Sequence, residues 1–171
     1  KIQVIPYGGT IDKSLKISKS MLTKYPFLKS EYYLSISRAI EDNMIRELCQ
    51  SFSKSDNVLV IISNFSSTNY GKGLLKEFDG FKNIIMISGL YHKPELDLIR
   101  RSCKIYIHSH LKCGTAPSLV EMIVAKKPIL SIDVPQNRNT MNGEGYYFQD
   151  FSLLQENINE IKKNKIETIS N

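Results

Sequence analysis

The stretch Cys113-Gly114-Thr115-Ala116-Pro117-Ser118, followed by Glu121, sets small residues, two hydroxyls and a proline ahead of one carboxylate. A helix starting there presents free backbone N–H groups and the positive end of its dipole, and both favour a phosphate. Gly114 lets a ligand approach the backbone closely. Thr115 and Ser118 offer hydroxyls that cap a helix or bind oxygen. Glu121 falls about one turn into the helix. A carboxylate there repels phosphate but accepts two hydrogen bonds from a vicinal diol such as a ribose. A phosphate at a helix tip with a sugar one turn along is the layout of a nucleotide. Arg38, at the end of another apolar run, adds a planar fork of donors suited to a diphosphate. Each feature also has a plainer reading: a capped turn, a surface acid, an arginine after a strand. The apolar neighbours Leu119, Val120, Met122, Ile123 and Val124 sit poorly with a simple surface acid.

Other constellations lead less far. Strand alternation puts His108 and His110 on one face, near Cys113, but no fourth ligand is evident and no metal is expected. A Cys/His nucleophilic pair would lack its third member. No G-x-G-x-x-G or P-loop pattern is present, which counts against a dinucleotide dehydrogenase or an NTPase. Cys49 and Cys103 lie in apolar patterns and read as core thiols. Three cysteines without close pairing suit a reducing compartment.

The elements that must position these groups alternate in type. Strand candidates are QVIPY, YYLSIS, NVLVIIS, NIIMIS, KIYIHSH and PILSIDV, several of them apolar on both faces, as in a buried parallel sheet. Helical spacing links Ile45, Leu48, Cys49 and Phe52. Further helices are predicted over 70–78, from Pro94 through Leu96, Ile99 and Cys103, after the Gly114–Ser118 turn, and over 152–163. This alternation predicts one α/β domain with an open, doubly wound sheet, whose ligands bind beyond the carboxyl ends of the strands. Three such ends carry chemistry: Ser37-Arg38, Ser63-Asn64 and His108–Pro117. Residues 8–30 show no pattern and read as an irregular connector.

Length and charge narrow the classes. The 171 residues, 42% hydrophobic, suffice for one domain with a real core. The net charge of +6 is uneven, since residues 1–30 hold six lysines against one aspartate. A neutral body with one basic segment argues against nucleic acid. The segment reads as a solvated connector or as a contact with an anionic membrane surface. No apolar run reaches a membrane span, and no signal peptide is evident. The chain opens without Met inside an apparent strand, so a fragment of a longer protein is expected.

The order of these elements resembles the C-terminal, donor-binding half of retaining GT-B glycosyltransferases of family 4. VIPYGGTID (4–12) resembles the segment after the interdomain linker, and SRAIEDNMIRELCQSF (37–52) the unit that opens with the phosphate-binding arginine. NVLVIISNFSSTNYGKGL (57–74) and IIMISGLYHKPELDLIRRSCKIYIHSH (84–110) follow in order. CGTAPSLVEMIVAKKPILSIDV (113–134) takes the place of the family's acid-x7-acid motif. TAPSLVEM is similar to a tract in bacterial rhamnosyltransferases of capsule and surface polysaccharide synthesis.

The resemblance implies a Rossmann-like sheet over 1–171, with 1–30 as linker-proximal strand and basic connector and with the N-terminal acceptor domain absent. It implies transfer of a hexose, rhamnose in the subgroup, from a dTDP-, UDP- or GDP-sugar to a glycan or lipid-linked acceptor, without a metal cofactor. The setting would be the cytoplasm, at the inner face of the membrane, and the fragment alone would be inactive. It matches Arg38 to the phosphate-binding and catalytic arginine. Glu121 matches the ribose-binding acid, and Gly114, Thr115 and Ser118 the turn beside the diphosphate. Two departures stand out. Cys113 occupies the first acid's place, and Asn43 and Met44 the place of a second phosphate cation. His110, Lys112 or backbone N–H groups are candidates to replace that cation. The rival expectations are a non-catalytic nucleotide-binding module and a protein-interaction domain on the same scaffold.

Overall fold

A computed structural model describes residues 8–169, with side chains to Asn164. The expected strand QVIPY lies outside the described residues. The sheet is six-stranded and wholly parallel, in the order β3-β2-β1-β4-β5-β6. Its strands are β1 (Tyr33–Ile36), β2 (Leu59–Ser63), β3 (Ile84–Ser88), β4 (Ile105–His108), β5 (Ile129–Ile132) and β6 (Tyr146–Phe148). The helices are α1 (Lys19–Lys24), α2 (Ile45–Phe52), α3 (Asn69–Glu77), α4 (Lys93–Ser102), α5 (Pro117–Val124), α6 (Pro135–Thr140) and α7 (Leu154–Ile169).

The near-continuous apolar character of β1, β2, β4 and β5 follows from helices covering both faces of the sheet. Alternate residues feed opposite cores. Tyr33, Leu59, Ile61, Ile105 and Ile107 join Ile45, Leu48 and Phe52 of α2 and Leu154, Ile158 and Ile161 of α7. Leu34, Val60, Ile62 and Tyr106 join Leu98 and Ile99 of α4 and Leu119 and Met122 of α5. Cys49 and Cys103 are buried thiols, one in each core.

The connector expected at 8–30 is built rather than irregular. Ser18 caps α1 by accepting the Met21 amide, and a 3-10 turn over Pro26–Lys29 follows. Tyr25, Phe27 and Leu28 are buried, with the Phe27 ring meeting that of Tyr32 edge-on. Lysines from this segment and from α4 clip it down: Lys24 to Glu95 at 2.7 Å, and Lys93 to the Thr10 carbonyl at 2.7 Å. A six-residue helix is too short to show periodicity, which hid it in the sequence. The three-residue edge strand β6 and the six-residue α6 escaped for the same reason.

Strand order reverses between β1 and β4. The chain therefore leaves these neighbours toward opposite sides, opening a crevice at their carboxyl ends. The ends in question carry Ser37-Arg38 on β1 and Ser109-His110 on β4.

Candidate functional site

A cleft of about 840 Å³ occupies that crevice. Its walls are the ends of β1, β2 and β3 on one side and the loop from His110 to Ser118 on the other. Two cross-links hold the walls in register. The Ser109 hydroxyl donates to the Asn43 carbonyl at 2.7 Å, and the Leu111 amide donates to the Asp42 carbonyl at 3.0 Å. Asn43 is buried and donates its side-chain amide to the Arg38 carbonyl, while Asn64 accepts the Ala39 amide at 2.8 Å. The turn that carries Arg38 is thus fixed by both neighbouring strand ends.

Arg38 is exposed at the cleft, and its guanidinium has no ion pair or hydrogen bond among the described residues. An arginine without a protein partner beside a concave surface is available to an anionic ligand. Opposite stands the start of α5. Pro117 takes a first-turn position, the N-cap Ala116 supplies no side-chain cap, and the Ser118 amide has no acceptor among the described residues. The Leu119 and Val120 amides already donate to the Ala116 carbonyl, at 3.0 and 3.2 Å, so the Ser118 amide is the free donor at a dipole end that suits a phosphate. Gly114 does not have positive φ, and a Cβ there would meet nothing within 4 Å. Its value lies in the open face it offers to a ligand, not in any clash it avoids.

Arg38, His110, Cys113, Gly114, Thr115 and Ser118 are brought together on this one cleft. Glu121 is placed differently. It lies outside the cleft lining, and its Oε2 accepts from Nη2 of Arg100. Arg100 is almost wholly buried and also donates to Asp97 at 2.7 Å; Asp97 in turn takes Lys93 at 2.7 Å and the Asp12 amide at 2.8 Å. A buried guanidinium without anions would be very costly. The local need of Arg100 therefore sets the direction of Glu121, and its Oε1 has no partner among the described residues.

Electrostatics decide among the candidates for a second cation. Burial, helped by the Arg38 charge, lowers the His110 pKa to about 4, so its imidazole is neutral near pH 7. His108, fully buried, is lowered well below the usual histidine value, by burial first and by His110 second. Burial pushes the Cys113 thiol up despite the opposing Arg38 charge, so it stays protonated. Lys112 lines the cleft and reaches Asp42 at 3.1 Å while remaining exposed. It is the second positively charged side chain of the lining. Asn43, where the resemblance led one to seek a cation, does structural work instead.

The end of β3 contributes Gly89, Leu90 and Tyr91, which the strand-end reading passed over. Gly89 adopts φ +71, a conformation that favours glycine, and Tyr91 is 80% exposed. A glycine closing an apolar strand and followed by an exposed aromatic was the available signal.

No protein-family model and no curated sequence matches the chain. Solved structures do. A UDP-forming trehalose-phosphate synthase from Burkholderia vietnamiensis aligns over 82% of this chain and 39% of its own, with TM-score 0.67 and 13% identity. HepE from Anabaena, solved with UDP-glucose, covers 89% of this chain and 45% of its own, with TM-score 0.69 and 13% identity. Sucrose-phosphate synthase from Thermosynechococcus elongatus covers 91% and 42%, with TM-score 0.71 and 15% identity. This chain spans less than half the length of each. These neighbours are GT-B glycosyltransferases, and at such identities the likeness establishes architecture. The chain is a single Rossmann-like α/β domain with the fold of the C-terminal half of GT-B enzymes.

Proposed function

We propose that this chain is the donor-binding half of a glycosyltransferase, taking a nucleoside diphosphate sugar. One observation carries the reading: Arg38, without a partner among the described residues, lines the same cleft as the uncapped start of α5, at the switch in strand order. Two sources of positive potential on opposite walls suit a pyrophosphate between them. Departure of a sugar leaves new charge on the terminal phosphate, and preorganised donors stabilise that charge. Arg38 supplies a full charge, and the α5 tip supplies the dipole end with the amide and hydroxyl of Ser118. The exposed Tyr91 ring beside Gly89 and Leu90 is suited to cover a nucleobase. The resemblance alone assigns the Oε1 of Glu121, which lies beyond the cleft lining, to the ribose, with Arg100 steadying the other oxygen. Sequence resemblance favours a hexose donor, dTDP-rhamnose above others, used in bacterial surface polysaccharide synthesis at the inner face of the membrane. The rest of the enzyme would bring the glycan or lipid-linked acceptor. The isolated chain is expected to bind donor without transferring it, and no metal cofactor is needed for these steps.

Calorimetric titration with UDP, GDP and dTDP, each beside its nucleoside, tests the reading. Diphosphates binding at least tenfold more tightly than nucleosides support it. Absence of any nucleotide binding would favour a protein-interaction domain. Glu121→Ala should weaken UDP more than dTDP, which lacks one hydroxyl; equal losses would remove the ribose assignment. The thiol of Cys113 and the structural use of Asn43 favour a second reading, a nucleotide-binding module without catalysis. Full-length protein that binds nucleotide sugars yet neither transfers nor hydrolyses them would establish that alternative. We further propose that exposed Lys13, Lys16 and Lys19, beside the half-exposed Ile17, meet an anionic membrane surface. Retention by anionic vesicles at low salt, lost on replacing these lysines, is the expected result. Equal retention without them would refute it.

A further inference from the structure

The last residues of β4 and the loop beyond bring three soft donors together. A ring nitrogen of His108, one of His110 and the Cys113 sulfur all lie within 4.8 Å of one another. Among the described residues no other group of three His, Cys, Asp or Glu side chains is so arranged. The two histidines are two residues apart on a strand and so share a face. Their ring centroids are 4.1 Å apart with planes at 42°.

The state of the nitrogens is the second observation. His108 is 0% exposed, and among the described residues its ring nitrogens have no polar neighbour but the Asn137 side chain, while Nε2 of buried His110 has no hydrogen-bond partner. Leaving a buried polar atom unpaired is costly, and with one His108 nitrogen turned to Asn137, two such atoms remain, one in each ring. The side chain of Asn137 is the polar neighbour of His108. Its amide nitrogen is committed to the carbonyls of His110 and Ile132, which leaves its oxygen to orient one His108 nitrogen while the other faces a ligand.

We propose that His108, His110 and Cys113 form a three-donor site for a zinc ion at the base of the cleft. Two imidazoles and a thiolate, with no oxygen donor, select a borderline-soft ion over magnesium, calcium or manganese. Tetrahedral zinc holds nitrogen at about 2.0–2.1 Å and sulfur at about 2.3 Å. The donors therefore close by roughly 1 Å through side-chain rotation, which the rim position of Cys113 permits. The Cys113 S–H bond breaks as the Zn–S bond forms, its proton passing to solvent. His110 and Cys113 line the cleft, so the fourth position opens into it and takes water. The proposal goes beyond donor binding and does not depend on it.

The test is metal binding by the purified chain, stripped with chelator and kept reduced, with no nucleotide present. Zinc is titrated in competition with a chromophoric chelator, and cobalt(II) is bound in parallel for its absorption spectrum. One equivalent of zinc, and a thiolate-to-cobalt charge-transfer band, are expected. Cys113→Ser should abolish the band and weaken zinc at least tenfold, and His110→Gln should weaken zinc similarly. Circular dichroism confirms that each variant folds; rim Cys113→Ser serves where a histidine variant does not. Absence of stoichiometric zinc binding by the parent chain, or binding that Cys113→Ser leaves unchanged, would overturn the proposal.

Discussion

Replacing Arg38 by alanine removes a cation that the free protein does not use. The guanidinium is exposed and has neither ion pair nor hydrogen bond among the described residues, so folding should change by no more than about 0.5 kcal/mol. Ligand binding should carry nearly the whole effect. A hydrogen bond between charged partners contributes about 1.5–3 kcal/mol, and the open rim calls for a value near the lower end. About 2 kcal/mol corresponds to a roughly 30-fold rise in Kd. Calorimetry should show this loss for UDP and almost none for uridine, while urea unfolding midpoints of parent and variant coincide. Equal losses for nucleotide and nucleoside would show that Arg38 does not meet phosphate. A fall in stability above about 1 kcal/mol would show a structural role instead.

Stability should also fall as pH drops from about 6.5 toward 4. The unfolded chain protonates its histidines near 6.5, whereas folded His110 resists until about 4 and His108 is lowered well below its usual value. The folded state binds fewer protons in that window, so each group removes up to about 1.4 kcal/mol per pH unit; urea unfolding across pH should show it, and a flat profile would contradict the burial of both rings. Asp97 is held below its usual 3.8, because Lys93, the Asp12 amide and Arg100 together outweigh the burial that would raise it. Asp97→Ala strands Arg100 and should cost about 3–5 kcal/mol by chemical denaturation; a loss under about 1 kcal/mol would mean that Glu121 alone suffices. Gly71→Ala would set a Cβ 2.3 Å from the Phe65 carbonyl oxygen, a backbone clash. It should lower stability by up to about 3 kcal/mol in thermal unfolding, and an unchanged melting temperature would contradict that close approach.

Local pattern and tertiary arrangement divided this molecule unevenly. Five of the six strands among the described residues were legible as short apolar runs, because a parallel sheet covered on both faces leaves little room for polar residues. Pro94 and the Gly114–Ser118 turn marked two helix starts for reasons contained within one turn of chain. The same turn and the strand-end Arg38 announced an anion site, since free N–H groups and a guanidinium declare their chemistry locally. The three-residue β6 is too short to show an apolar run, and the six-residue helices α1 and α6 are too short to show a helical period. Other features depended on which strands become neighbours. Reversal of strand order at β1 and β4 brings Arg38 to face a turn more than seventy residues later. Glu121 finds Arg100 because burial of a guanidinium demands anions from whatever helix lies beside it. Two histidines and a cysteine become one cluster only when the loop after β4 folds back over the strand end. Periodicity and capping act over a few residues, and a sequence displays them directly. Burial, pairing and desolvation are set by packing between distant segments, and those the folded chain alone decides.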